Sequence, residues 1–305
     1  MASAIVLMKP SLKNIVQTRI VFMIVATVLC ATAFAAKPDE GAFEKEVIHA
    51  KGTLVVIGGA EIPRSIQDKI VSLVGGAGNA KVLVVPYATN EKERWLPVSD
   101  QEMLRKLGCK SVEMVTAAKD DMDAPETLAM LDGVNIVFFS GGSQSRLVNY
   151  LRGSKFLRKI RKIYDGGGVI AGTSAGASAL CRVMTTGAEN KHLYKPGLKG
   201  IDDRIETGRV DTVEGFGYFQ NIIIAQHFMI RKRTNHLVSA VMDNPTLRGI
   251  GIDESTAIVV SPDSSLEVIG RSKVMIIEPM QERKEWEPLT TFKVILLSNG
   301  DKYKL

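Results

Sequence analysis

Residues Gly172-Thr173-Ser174-Ala175-Gly176 carry the pattern Gly-x-Ser-x-Gly, with the apolar run Gly168–Ala171 before it and the small residues Ala175-Gly176-Ala177-Ser178 after it. A serine on a sharp strand-to-helix turn is a candidate nucleophile, because the turn pushes its hydroxyl out over the sheet edge. The glycines follow from that geometry: positions two before and two after the serine must lack side chains if strand and helix are to approach. The Ala175 N–H, at the start of the helix, can stabilise an oxyanion. A second donor can come from Gly142 or Ser143 in the turn Ser140-Gly141-Gly142-Ser143-Gln144.

A serine hydroxyl attacks a carbonyl only when a base takes its proton. The chain has four histidines. His49 precedes the first apolar run, His192 sits among Asn190, Lys191 and Lys195, and His236 lies inside a helical pattern. His227 closely follows the run Ile222-Ile223-Ile224, which places it at the same sheet edge as Ser174 and makes it the candidate base. An acid should orient the imidazole and stabilise its cation. Asp253 and Glu254 close the run Gly249-Ile250-Gly251-Ile252, and spacing does not choose between them. No histidine follows Glu254, so these residues fit the order Ser, His, acid. The lipase-like order, with an acid such as Asp202 or Asp211 between Ser174 and His227, ranks lower.

Side chains so far apart along the chain need a scaffold that brings them together. Short apolar runs at 54–57, 82–85, 136–139, 168–171 and 222–224 each end in glycine, proline or polar residues. Runs with so little alternation are what strands covered on both faces require. Helical spacing occupies 62–74, 100–107, 145–164 and 175–181. Strands alternating with helices predict an α/β fold with a doubly wound, mostly parallel sheet. Ligands bind such sheets beyond the carboxyl ends of the strands, where Glu61, Asn90, Gln144, Ser174, Gln226 and His227 would share one pocket. From Ile250 onward the pattern turns to short strands, at 257–260, 266–269, 274–277 and 292–297, so the C-terminal end is expected to be β-rich.

The chain of 305 residues is 45% hydrophobic and 24% charged, which suits a globular protein and excludes a disordered one. Its net charge of +6 is partly a terminal effect. Residues 1–35 contain Lys9, Lys13 and Arg19 and no acid, leaving 36 basic and 33 acidic residues in the remainder. That mixed surface holds no basic array, and a nucleic-acid partner is not expected. The three basic residues precede the uncharged stretch from Ile20 to Cys30, and Ala33-Phe34-Ala35 supplies small residues in the pattern of a signal-peptidase site. Residues 1–35 are therefore expected to be a cleaved signal peptide, and the protein to be secreted or periplasmic without stable membrane association. An uncleaved membrane anchor is the alternative. Only Cys109 and Cys181 then remain, and both are expected as buried free thiols.

Five motifs occur in order: Gly58-Gly59-Ala60-Glu61, Gly141-Gly142-Ser143-Gln144, Gly172–Ala177, Gln226-His227-Phe228 with Arg231 and Arg233, and Gly251-Ile252-Asp253-Glu254. Together they resemble the cyanophycinases, in the serine peptidase family that also holds the aspartyl dipeptidases. The resemblance spans roughly residues 51–262. It implies a flavodoxin-like fold, related to the class I glutamine amidotransferases; residues 263–305, beyond its span, are expected from their strand pattern as a β-rich extension of the same domain. It implies a metal-free, cofactor-free exopeptidase acting on cyanophycin, a polyaspartate with arginine on each side chain, or on related β-aspartyl peptides. It assigns the nucleophile to Ser174, the base to His227 and the acid to Glu254, with Gln144, Gln226, Arg231 and Arg233 as substrate contacts.

Two positions depart from the family pattern. Ala225 stands where an aspartate commonly precedes Gln-His-Phe, and His236 stands near a commonly found third arginine. The triad positions match while part of the substrate side does not. The expected activity is thus a serine hydrolase on aspartyl or β-aspartyl peptides, compatible with a homodimer. Its rivals are an esterase or amidase using the same serine, and a catalytically silent binding protein on this scaffold.

Overall fold

The computed structural model describes residues 51–189, 204–280 and 291–305. The signal peptide expected over residues 1–35, together with His49, His192 and Asp202, lies outside them.

In chain order the elements are β1 (Thr53–Ile57), α1 (Arg64–Ser72), β2 (Lys81–Val85), α2 (Trp95–Lys106), β3 (Ser111–Met114), α3 (Pro125–Ala129) and β4 (Ile136–Phe139). They continue with α4 (Gln144–Leu151), α5 (Lys155–Asp165), β5 (Val169–Thr173), α6 (Ala175–Ser178), β6 (Val183–Glu189), β7 (Val210–Glu214), β8 (Ile222–Ala225) and α7 (Thr234–Asp243). The last strands are β9 (Arg248–Ile252), β10 (Thr256–Val260), β11 (Ser265–Gly270), β12 (Val274–Pro279), β13 (Phe292–Leu297) and β14 (Lys302–Lys304). An eight-stranded sheet runs β14-β11-β10-β1-β5-β4-β2-β3. A second sheet runs β13-β12-β9-β8, and β6 and β7 form a pair. The β1-β5-β4-β2-β3 section is parallel throughout, whereas β10, β11 and β14 add antiparallel strands to one side.

Side-chain alternation explains why the central strands are apolar at every position. In β1, Leu54 and Val56 enter one core while Val55 and Ile57 enter the other. In β2, Leu83 and Val85 face the first core and Val82 and Val84 the second. In β4 the division falls between Val137 and Phe139 on one side and Ile136 and Phe138 on the other. Helices α4, α5 and α6 cover the first face, with Leu147, Phe156 and Ala177 packed into it; α1 and α2 cover the second with Ile66, Ile70 and Leu104. Each fully buried aliphatic side chain contributes about 1.5–3 kcal/mol relative to exposure. A polar replacement in β1, β2 or β4 would weaken one of the two cores.

Several expectations change. The strand 222–224 is β8, but it belongs to the second sheet and pairs in parallel with β9. The single helix expected over 145–164 is two, because Gly153 turns the chain at φ 79° and Ser154 caps α5 by accepting from the Leu157 N–H. Helix α2 begins five residues before its expected start. Pro97, which reads as a breaker, sits in the first turn, where its missing N–H has no partner to lose. Cys181 is buried and Cys109, just ahead of β3, only half-buried; both are free. The β-rich end divides between sheets: β11 and β14 extend the large one, β12 and β13 the smaller.

Candidate active site

Ser174 follows β5 and precedes α6 with φ 53° and ψ −114°, a conformation costly for a residue with a Cβ. The flanking glycines make the turn possible. A Cβ on Gly172 would collide with the backbone of Gly176, and one on Gly176 would collide with the Phe139 carbonyl. The turn is tied down by the Ser174 N–H donating to the Ile57 carbonyl at 3.0 Å. Strain at the serine is thus held by β1, β4 and β5 together.

His227 reaches the same point from the second sheet. β8 ends at Ala225, and the His227 N–H donates to the Gly58 carbonyl at 2.8 Å, so the backbone after β8 is fastened to the loop after β1. His227 takes φ 48°, and its ring lies against Gly59. Its Nε2 is 2.9 Å from Ser174 Oγ, and its Nδ1 is 2.5 Å from Glu254 Oε1. With the ring proton on Nδ1, the imidazole donates to Glu254 and accepts from the serine hydroxyl. Burial holds the His227 pKa below its ordinary value, opposed by the hydrogen bond to Glu254.

Glu254 lies where the chain crosses from β9 in the small sheet to β10 in the large one. The two acids left open by spacing have separate partners. Asp253 Oδ1 accepts from the N–H groups of Met229 and Ile230 at 3.1 and 3.2 Å, and Oδ2 accepts from the Ser272 hydroxyl. Asp253 therefore holds the turn after His227, while Glu254 meets the imidazole. Asp211 is exposed on β7.

Ser174 and His227 line a cleft of about 700 Å³ with Glu61, Gly142, Gln144, Gln226, Arg231 and Arg233. Gly142 takes φ 136°, and a Cβ there would collide with the Ala88 carbonyl, so the position requires glycine; Ala175 opens α6. The Ser143 N–H donates to the Ala88 carbonyl at 2.8 Å, which leaves Gly142 rather than Ser143 to supply an N–H beside Ala175. Gln144 is buried, its amide donating to the Thr185 carbonyl at 2.9 Å. Gln226 is also buried, and its Oε1 has no hydrogen-bond partner among the described residues. Arg233 donates to the Gln226 carbonyl at 2.7 Å, and burial together with Arg231 lowers its pKa to about 10.

Asn90 does not line the cleft. It accepts from the Lys92 and Glu93 N–H groups and caps the turn before α2. His236, on α7, is buried and also lies away from the cleft lining. Sequence reading missed the wall formed by Trp95, Leu96, Ser99 and Asp100, because α2 was expected to start only at Asp100. The signal was the capping pattern Asn90–Glu93, a helix-start signature ahead of Trp95. Among the described residues, no group of three or more His, Cys, Asp or Glu side chains gathers to hold a metal, and no helix is long and apolar enough to cross a membrane.

Comparison with known proteins gives this geometry a setting. Residues 54–268 match the family model described as Peptidase family S51. A cyanophycinase of Synechococcus elongatus is 30% identical over 269 residues, covering 84% of this chain and 80% of the relative. One of Trichormus variabilis is 29% identical over 272 residues, covering 84% and 86%. Among solved structures, a peptidase from an acI-B1 Actinobacterium aligns with TM-score 0.61 and 24% identity, covering 84% of this chain and 98% of the other. That likeness bears out the expected flavodoxin-like α/β architecture.

Proposed function

The chain belongs to peptidase family S51 and is a serine-type peptidase, and from that premise we propose that it hydrolyses aspartyl or β-aspartyl peptide bonds, cyanophycin among them, through an acyl-enzyme on Ser174. One observation carries the reading: Ser174 Oγ, His227 and Glu254 stand in an unbroken relay of 2.9 and 2.5 Å.

In the proposed mechanism Oγ attacks the scissile carbonyl carbon while its proton passes to His227 Nε2. Glu254 holds the imidazolium through Nδ1–H. The carbonyl oxygen, now an oxyanion, is received by the Ala175 and Gly142 N–H groups. When the tetrahedral adduct collapses, the C–N bond breaks and the departing amine takes the proton from Nε2. Water, deprotonated by the same nitrogen, then releases the acyl group as a carboxylic acid. Arg231 and Arg233 suit the carboxylates of an aspartyl substrate, since guanidinium groups pair with carboxylates through paired N–H donors. The buried amides of Gln144 and Gln226 orient the chain between them.

Incubation with cyanophycin and with β-aspartyl dipeptides, followed by product identification, tests the substrate class. Release of β-aspartyl-arginine is expected, and cleavage of simple esters alone would overturn it. Ser174→Ala should abolish turnover and labelling by a serine-directed inhibitor. We also propose export with cleavage of residues 1–35. N-terminal sequencing of the protein recovered outside the cytoplasm checks it, and an intact Met1 would refute it.

A further inference from the structure

We propose that Asp100, on α2, is a specificity-determining residue of this cleft that receives a cationic group of the substrate, of the guanidinium or ammonium class. The inference rests on the peptidase reading of the site.

The charges along the cleft are unevenly matched. Glu61 is paired with Arg271 at 2.7 Å. Glu93 faces Arg146 at 3.7 Å and also accepts from the Asn90 N–H. Asp100 lines the same cleft, yet no cation among the described residues faces it. The fully buried Ser140 hydroxyl makes no hydrogen bond of ordinary geometry but offsets part of the cost of the Asp100 charge. Burial dominates and pushes the carboxyl up to about 6. A half-buried carboxylate without a cation is costly unless a ligand completes it, and such groups gather at binding sites.

A second observation points the same way. Gln226 Oε1, buried and in the lining of this cleft, lacks a donor. The cleft thus presents a carboxylate that no cation faces and a buried amide oxygen without a donor, which call for a ligand rich in N–H donors. Leu96, one turn before Asp100 on the same helix face, supplies apolar surface for the stem that carries such a group. Arg231 and Arg233 supply opposite charge elsewhere in the cleft. A peptide bearing both a carboxylate and a cation matches that arrangement, and a neutral one matches half of it.

The test compares β-aspartyl-arginine with β-aspartyl-citrulline, which keeps the shape and loses the charge. Affinities are measured by calorimetry in the Ser174→Ala background, so that no turnover intervenes. With Asp100 present, the arginine peptide should bind about tenfold more tightly. Asp100→Asn should bring the ratio to about one with citrulline affinity unchanged, and Asp100→Glu should retain the preference. An unchanged ratio in Asp100→Asn, an equal loss for both peptides, or no binding of either would overturn the proposal. The two readings fail separately. A preference for arginine in a protein whose intact Ser174 form cleaves neither cyanophycin nor any β-aspartyl dipeptide would refute the activity and leave the subsite. Cleavage of either, with an arginine-to-citrulline affinity ratio of about one, would refute only the subsite.

Discussion

The imidazole of His227 lies directly against the backbone of Gly59, leaving no room between them for one added carbon. Gly59 also takes φ 109°, which disfavours any side chain. Gly59→Ala should therefore displace the ring from Ser174 while both sheets still form. A shift of about 1 Å costs on the order of 10²-fold in rate. The expected result is a fall in kcat of about that size with an unchanged circular-dichroism spectrum, and full activity would refute the packing argument.

The neighbouring acids should separate cleanly. Glu254→Gln leaves the ring without its charged partner and should reduce kcat by roughly 10³–10⁴-fold with little change in Tm. Asp253→Asn weakens acceptor contacts to the Met229 and Ile230 N–H groups and to Ser272, and should cost about 1–3 kcal/mol of stability. Kinetics and thermal melts on both variants check the division.

The pH profile follows from His227. Burial holds its pKa below 6.5, so the neutral base persists into mildly acidic solution and the acid limb of kcat/KM should lie below pH 6.5. Glu254 opposes that depression, so Glu254→Gln should move the limb further toward acid. A limb above pH 6.5 in the native protein would contradict the assignment.

Asp100 predicts the opposite sign in stability. Its folded pKa of about 6 exceeds its ordinary 3.8, so its contribution is fully present below 3.8 and is lost as pH rises through about 6. Asp100→Asn should accordingly raise Tm at pH 8, where the native carboxylate is charged, and change it little at pH 4. Melting curves at the two pH values decide it.

The elbow was readable from residues alone, because Gly172 and Gly176 are required by backbone collisions that leave few other choices. The central strands were readable because burial on both faces removes polar positions from β1, β2 and β4. The separation of Asp253 from Glu254 was not, since adjacent acids differ only in which way the turn directs them. The α2 wall was hidden by Pro97, whose effect depends on its position within the helix. The placement of β8 in a second sheet was equally hidden, because an all-apolar tetrapeptide fits either sheet.

Glu254 occupies the crossover between the sheets and comes late in the chain, eighty residues after the serine. During synthesis Ser174 emerges well ahead of His227 and Glu254, and the proposed relay forms only once the backbone after β8 is fastened to the loop after β1 and β10 has paired with β1. On the proposed mechanism, reactivity therefore waits on contacts between distant parts of the chain, and a nascent chain that has not yet reached Glu254 lacks one member of the relay.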